Sequence, residues 1–127
     1  MSTRILVVYH VPANVEVLVS ILARGYDVIS TAADGLEALA KIEAEKPDIV
    51  LLDVMLPKLD GFEVCRRIRA DPATAHILVV MVCADNAANL RVESLEAGAD
   101  DFVALPISPL DELLRVIMRA EVARGLR

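Results

Sequence analysis

Five short apolar runs alternate with five amphipathic stretches along the chain. The runs Ile5–Val8, Tyr26–Ser30, Ile49–Leu52, Ile77–Val82 and Phe102–Leu105 are the expected strands. Several are apolar at every position rather than at alternate ones, as parallel strands covered on both faces require. Between them the spacing turns helical. Val15, Leu18, Val19 and Leu22 fall at i, i+3, i+4 and i+7, as do Leu110, Leu113, Leu114 and Ile117. Asp34 with Glu37 and Asp60 with Glu63 read as capping boxes, and Ser108-Pro109 with Asp111 places proline at a first helical position. Gly98 reads as the stop of the fourth helix.

Such a (βα)5 alternation with short connections implies right-handed crossovers and a doubly wound parallel α/β sheet, with two helices on one face and three on the other. Periodicity does not give the strand order. In sheets of this class, function lies at the carboxyl ends of the strands. Here those ends carry Tyr9-His10, Asp53, Cys83-Ala84 and Leu105-Pro106.

At 127 residues the chain suits one domain, 1–127, and its 56% hydrophobic content supports a core without disulfides or metal. Aromatics are 3% and tryptophan is absent, so that core is aliphatic. A formal net charge of −6 argues against a nucleic-acid face, which needs clustered Lys and Arg. Cys65 and Cys83 match neither a disulfide framework nor a CxxC metal site, and a reducing cytoplasmic setting is expected. No apolar run approaches the ~20 residues of a membrane-spanning helix. Nor does Met1-Ser2-Thr3-Arg4 lead into a signal-peptide pattern.

Several local stretches occur together in order: Ile5-Leu6-Val7-Val8; Asp48-Ile49-Val50-Leu51-Leu52-Asp53-Val54-Met55-Leu56-Pro57; Asp60-Gly61-Phe62-Glu63; Gly98-Ala99-Asp100-Asp101-Phe102; and Pro106. Over essentially its whole length the chain resembles a response-regulator receiver domain of two-component (phosphorelay) signalling. Val11-Pro12-Ala13-Asn14 and Val64-Cys65-Arg66-Arg67 resemble receivers attached to diguanylate cyclases. The resemblance implies a flavodoxin-like sheet of order 2-1-3-4-5 and a signalling module rather than an enzyme. It implies histidine kinases or output domains as protein partners, and a cis peptide at Leu105-Pro106.

It also implies a phosphorylation site of five side chains. An acidic pair after the first strand joins the acceptor Asp in holding Mg²⁺, a Thr or Ser ends the fourth strand, and a Lys precedes the proline after the fifth. Mg²⁺ takes hard oxygen ligands and offsets the charge of the incoming phosphoryl group, the Lys adds a second cation, and the hydroxyl bonds a phosphoryl oxygen. Position by position, Asp53 matches the acceptor. Tyr9 and His10 replace the acidic pair, Cys83 replaces the hydroxyl and Leu105 replaces the Lys. Phe102 falls at the family's switch aromatic.

Phosphoryl transfer depends on positioning and charge, so this degenerate site is expected to be nearly inert, without Mg²⁺ or another cofactor. Asp53 then serves as a local hydrogen-bond acceptor, with His10 as one candidate partner. A zinc site from His10, Cys83 and Asp53 is weighed and set aside for want of ligand spacing.

The leading expectation is a pseudo-receiver, a phosphorylation-independent interaction module. Any homodimer is expected to use Arg91, Glu96, Asp100, Asp101, Arg115 and Arg119. Two alternatives remain: a working Asp53 phosphoacceptor with a substitute metal arrangement, and a flavodoxin-like ligand-binding protein. The latter is disfavoured because Tyr9 to Asn14 lacks a Gly, Ser or Thr run to cradle phosphate. The basic residues of the last helix, Arg115, Arg119, Arg124 and Arg127, are expected to form a solvated face.

Overall fold

A computed structural model of the chain describes residues 3–83, 88–105 and 112–125. Five strands alternate with five helices: β1 Arg4–Val8, α1 Pro12–Leu22, β2 Val28–Ala32, α2 Gly35–Glu45, β3 Ile49–Asp53, α3 Gly61–Ala70, β4 Leu78–Cys83, α4 Ala88–Glu96, β5 Asp101–Ala104 and α5 Glu112–Ala123. The strands form one parallel sheet of order β2-β1-β3-β4-β5, with Val8 beside Leu52 and Asp53 beside Val82. The flavodoxin-like order is therefore the observed one.

Alternation along the strands divides the core in two. Leu6, Val8, Val50, Leu52, Val79, Met81 and Cys83 face α2, α3 and α4. Ile5, Val7, Ile49, Leu51, Val80, Val82 and Val103 face α1 and α5. Every residue of β3 and β4 is buried, which accounts for the unbroken apolar sequence of β4 and of β3 up to Asp53.

The second strand begins two residues later than its apolar run suggests. Tyr26 closes the end of α1 instead, where its N–H donates to Leu22 O, and its buried hydroxyl donates to Glu121 Oε1 at 2.6 Å. Both proposed capping boxes supply only part of the motif. Asp34 and Asp60 accept from the N–H groups of Glu37 and Glu63, at 2.8 and 2.9 Å. The Glu37 side chain, however, reaches the N–H of Ala33, one residue early, while Glu63 turns to Arg66 and Arg67. Two guanidinium groups next to an exposed carboxylate outcompete the backbone N–H, and they hold the Glu63 carboxyl below its usual range.

Gly98 has φ +107°, the left-handed geometry expected of a helix stop. Gly61 is required by close approach: a Cβ there would lie 2.2 Å from the Asp53 carbonyl oxygen. That contact seats the start of α3 directly against the end of β3. The cap at Ser108 to Asp111, the Leu105-Pro106 peptide and Arg127 lie outside the described residues.

Candidate functional site

The carboxyl ends of β1, β3, β4 and β5 bring Tyr9, His10, Asp53, Cys83 and Leu105 to one end of the sheet. Asp53 is the last residue of β3 and only 1% exposed. A carboxylate so buried needs partners to offset its lost hydration. Met55 N–H donates to Oδ1 at 2.9 Å, His10 N–H donates to Oδ2 at 3.3 Å, and the His10 ring places Nδ1 2.5 Å from the same Oδ2. The hydrogen bond between His10 and Asp53 raised by the sequence is thus present, and it is the shortest of the three contacts.

Tyr9 and His10 part company although adjacent. Tyr9 is buried with the β-strand residues that face α1 and α5, and its ring stacks on that of His10, with centroids 5.5 Å apart and planes at 14°. Burial first, then the charge of Asp53, pushes the Tyr9 phenol above its ordinary value. The side chain of His10 stays 39% exposed. It lines a cleft of about 470 Å³ with Val54, Met55, Leu56, Pro57, Asp60, Phe62 and Leu90. Sequence reading missed this cleft. The signal for it was Met55, a large apolar side chain just beyond the acceptor strand, which is 61% exposed.

Cys83 is buried on the α2–α3–α4 face. Leu105 packs on the opposite core, with its N–H donating to the Cys83 carbonyl at 2.8 Å. The two are joined through backbone and separated by the sheet. Among the described residues, no three His, Cys, Asp or Glu side chains gather closely enough to hold a metal ion. Phe102 is buried, with the Arg91 guanidinium 5.0 Å from its ring centroid. Cys65 lies in the core, where burial pushes its thiol up to about 11.

The charges proposed for self-association are partly committed within the chain. Asp100 pairs with Arg69 at 2.8 Å and Arg124 at 2.5 Å, so Arg124 is not simply part of a solvated basic face. Arg69 also donates to the carbonyls of Gly98, Ala75 and Ile77, tying α3 to both ends of the adjoining loops. Asp101 pairs with Arg119 at 3.1 Å, with the Arg119 side chain 70% exposed.

Set beside known proteins, residues 5–118 match the response regulator receiver domain. The chain belongs to this family. It is 47% identical to the response regulator PleD of Caulobacter vibrioides over 91% of its own length and 26% of that protein. It is also 47% identical to the alkaline phosphatase synthesis transcriptional regulatory protein PhoP of Bacillus subtilis, over 97% of this chain and 52% of the relative. The receiver chain thus spans about a quarter to a half of these two relatives. A putative response regulator from Chloroflexus aurantiacus superposes with a TM-score of 0.90 at 31% identity, covering 96% of this chain and 99% of the other. As a receiver, the chain is a two-component signalling domain. No helix among the described residues is long and apolar enough to cross a membrane.

Proposed function

We propose that this receiver signals by docking, without phosphorylation of Asp53. The observation that carries the reading is His10 Nδ1 at 2.5 Å from Asp53 Oδ2. An incoming phosphoryl group must approach a carboxylate oxygen in line, and here one oxygen is covered by an imidazole while the other accepts from Met55 N–H. The donor set also fits Mg²⁺ poorly. That ion demands hard oxygens in a tight octahedron and gives up water reluctantly, whereas the positions around Asp53 offer a phenol turned into the core, an imidazole, a thiol and an aliphatic chain. Leu105 brings no cation to offset repulsion between an anionic donor and Asp53. The domain is proposed to work in the cytoplasm as a protein-interaction module.

Its docking face is proposed to be α4, β5 and α5. Both helices pack on β5, an edge strand. Val92 and Leu95 of α4 and Val122 of α5 are exposed apolar positions beside Arg91, Glu96, Arg115 and Arg119. A two-fold pairing of such a face is the usual form of a homodimer. Titration with Mg²⁺ followed by backbone amide chemical shifts tests the site. The reading expects no saturable shift at Asp53, Val54 or Met55 up to millimolar metal. Saturable shifts there would favour a working acceptor with a substitute metal arrangement.

A further inference from the structure

His10 and Asp53 form more than a blocked acceptor. An ionised carboxylate only accepts hydrogen bonds, so the short contact places a proton on His10 Nδ1, and whenever the ring carries a single proton its lone pair lies on Nε2. Among the described residues Nε2 makes no hydrogen bond, and the ring lines the 470 Å³ cleft. A buried carboxylate fixing the tautomer and orientation of a half-exposed imidazole is the arrangement that turns histidine into a nucleophile or base. The cleft beside it is walled mainly by Val54, Met55, Leu56, Phe62 and Leu90. Asp60 in its lining, the buried Asp53 behind the His10 ring and a net charge of −6 oppose anionic ligands.

We propose that His10 is an Asp53-oriented nucleophile that accepts acyl groups at Nε2 from small, neutral, apolar acyl donors such as activated esters. The Nε2 electron pair attacks the ester carbonyl carbon. The bond from that carbon to the leaving oxygen breaks, and the alcohol or phenol departs as its anion and takes a proton from water. The acylated ring passes its Nδ1 proton to Asp53. The hydroxide left by that proton transfer then adds to the acyl carbon, the carbon–Nε2 bond breaks with its electron pair returning to nitrogen, the carboxylic acid leaves and Asp53 returns the proton. The net change is ester plus water to acid plus alcohol. The apolar walls bind the donor, His10 is the catalytic residue and Asp53 is a positioning residue. This chemistry goes beyond the docking reading, with which it shares only the His10–Asp53 contact, because it involves neither phosphate nor a partner protein.

The chain supplies its own reference. Its other histidine, His76, is exposed and has no side-chain hydrogen bond among the described residues. The test is release of p-nitrophenolate from p-nitrophenyl butyrate by the wild-type chain and by His10→Gln, His76→Gln and Asp53→Asn. His10→Gln should lose roughly tenfold or more of the protein-dependent rate, as removal of a base or nucleophile does, while His76→Gln leaves it unchanged. Asp53→Asn should lower the rate too, because an amide can donate to Nδ1 and move the ring proton to Nε2. Nitrogen-15 spectra of the histidine rings read that tautomer directly in the wild-type chain, whether or not Asp53→Asn folds. Equal rates for wild type and His10→Gln, or a wild-type His10 protonated at Nε2, would overturn the proposal. Equal rates would leave the docking reading standing, because that reading needs the His10–Asp53 contact and not a reactive Nε2.

Discussion

Replacing His10 by alanine removes the side chain that covers a buried carboxylate. Asp53 would keep the N–H of Met55 at 2.9 Å and that of residue 10 at 3.3 Å, but lose the ring contact at 2.5 Å. A hydrogen bond to a charged group contributes roughly 1.5–3 kcal/mol net. Part of this loss is recovered here, because a ring 39% exposed lies close enough to solvent for water to replace it. The expected destabilisation is about 1–2 kcal/mol, or ~4–7 °C in melting temperature for a domain of this size. A double-mutant cycle of His10→Ala and Asp53→Ala, read by urea unfolding, isolates the pair. Asp53→Ala should be better tolerated in the His10→Ala background than alone, with a coupling of about 1–2 kcal/mol. Coupling within about 0.3 kcal/mol of zero would show that the two side chains do not interact, and both the blocked acceptor and the oriented nucleophile would fall with it.

The thiol of Cys65 rises from an ordinary 9.0 to about 11 on folding. Between these values the unfolded chain has lost a proton that the folded chain keeps, so stability falls as pH rises through this window, by an amount on the order of 2–3 kcal/mol. Tyr9, raised above 10.0, acts in the same direction. Urea unfolding from pH 8 to 11 should show a shallower decline for Cys65→Ala than for wild type; parallel curves would contradict this. Gly61→Ala should cost about 2–3 kcal/mol, because its Cβ meets the Asp53 carbonyl at 2.2 Å and backbone must shift. A midpoint unchanged from wild type would refute that packing. Arg115→Glu with Arg119→Glu should weaken any two-fold self-association seen by sedimentation velocity, and an unaltered profile would place the interface elsewhere.

The sheet was legible because β1, β3 and β4 are buried on both faces, so nearly every position had to be apolar. The second strand was misjudged because Tyr26, although apolar, serves α1 and Glu121 rather than the edge strand. Edge strand β2 is half-exposed, so its sequence carries less pattern. At the site, residue types could be matched to a family pattern, and a His10–Asp53 contact could be suspected. The opposite fates of Tyr9 and His10 could not be read, because both lie beyond the end of β1 at Val8, where alternation no longer decides direction. The charge network of Arg69, Asp100 and Arg124 was equally hidden. It joins residues 31 and 24 positions apart, and no local spacing records such a contact.

Whether Asp53 still accepts a phosphoryl group is read most directly by intact-mass spectrometry after acetyl phosphate treatment in millimolar Mg²⁺. If each of two missing cations contributed only ~3 kcal/mol to the transition state, transfer would be about 10⁴-fold slower than in a receiver with a full site. The wild-type chain should therefore carry no phosphoryl adduct. Tyr9→Asp, His10→Asp, Cys83→Thr and Leu105→Lys combined should acquire one, because such groups act as a unit. A phosphoryl adduct on the wild-type chain that disappears in Asp53→Asn would contradict the account.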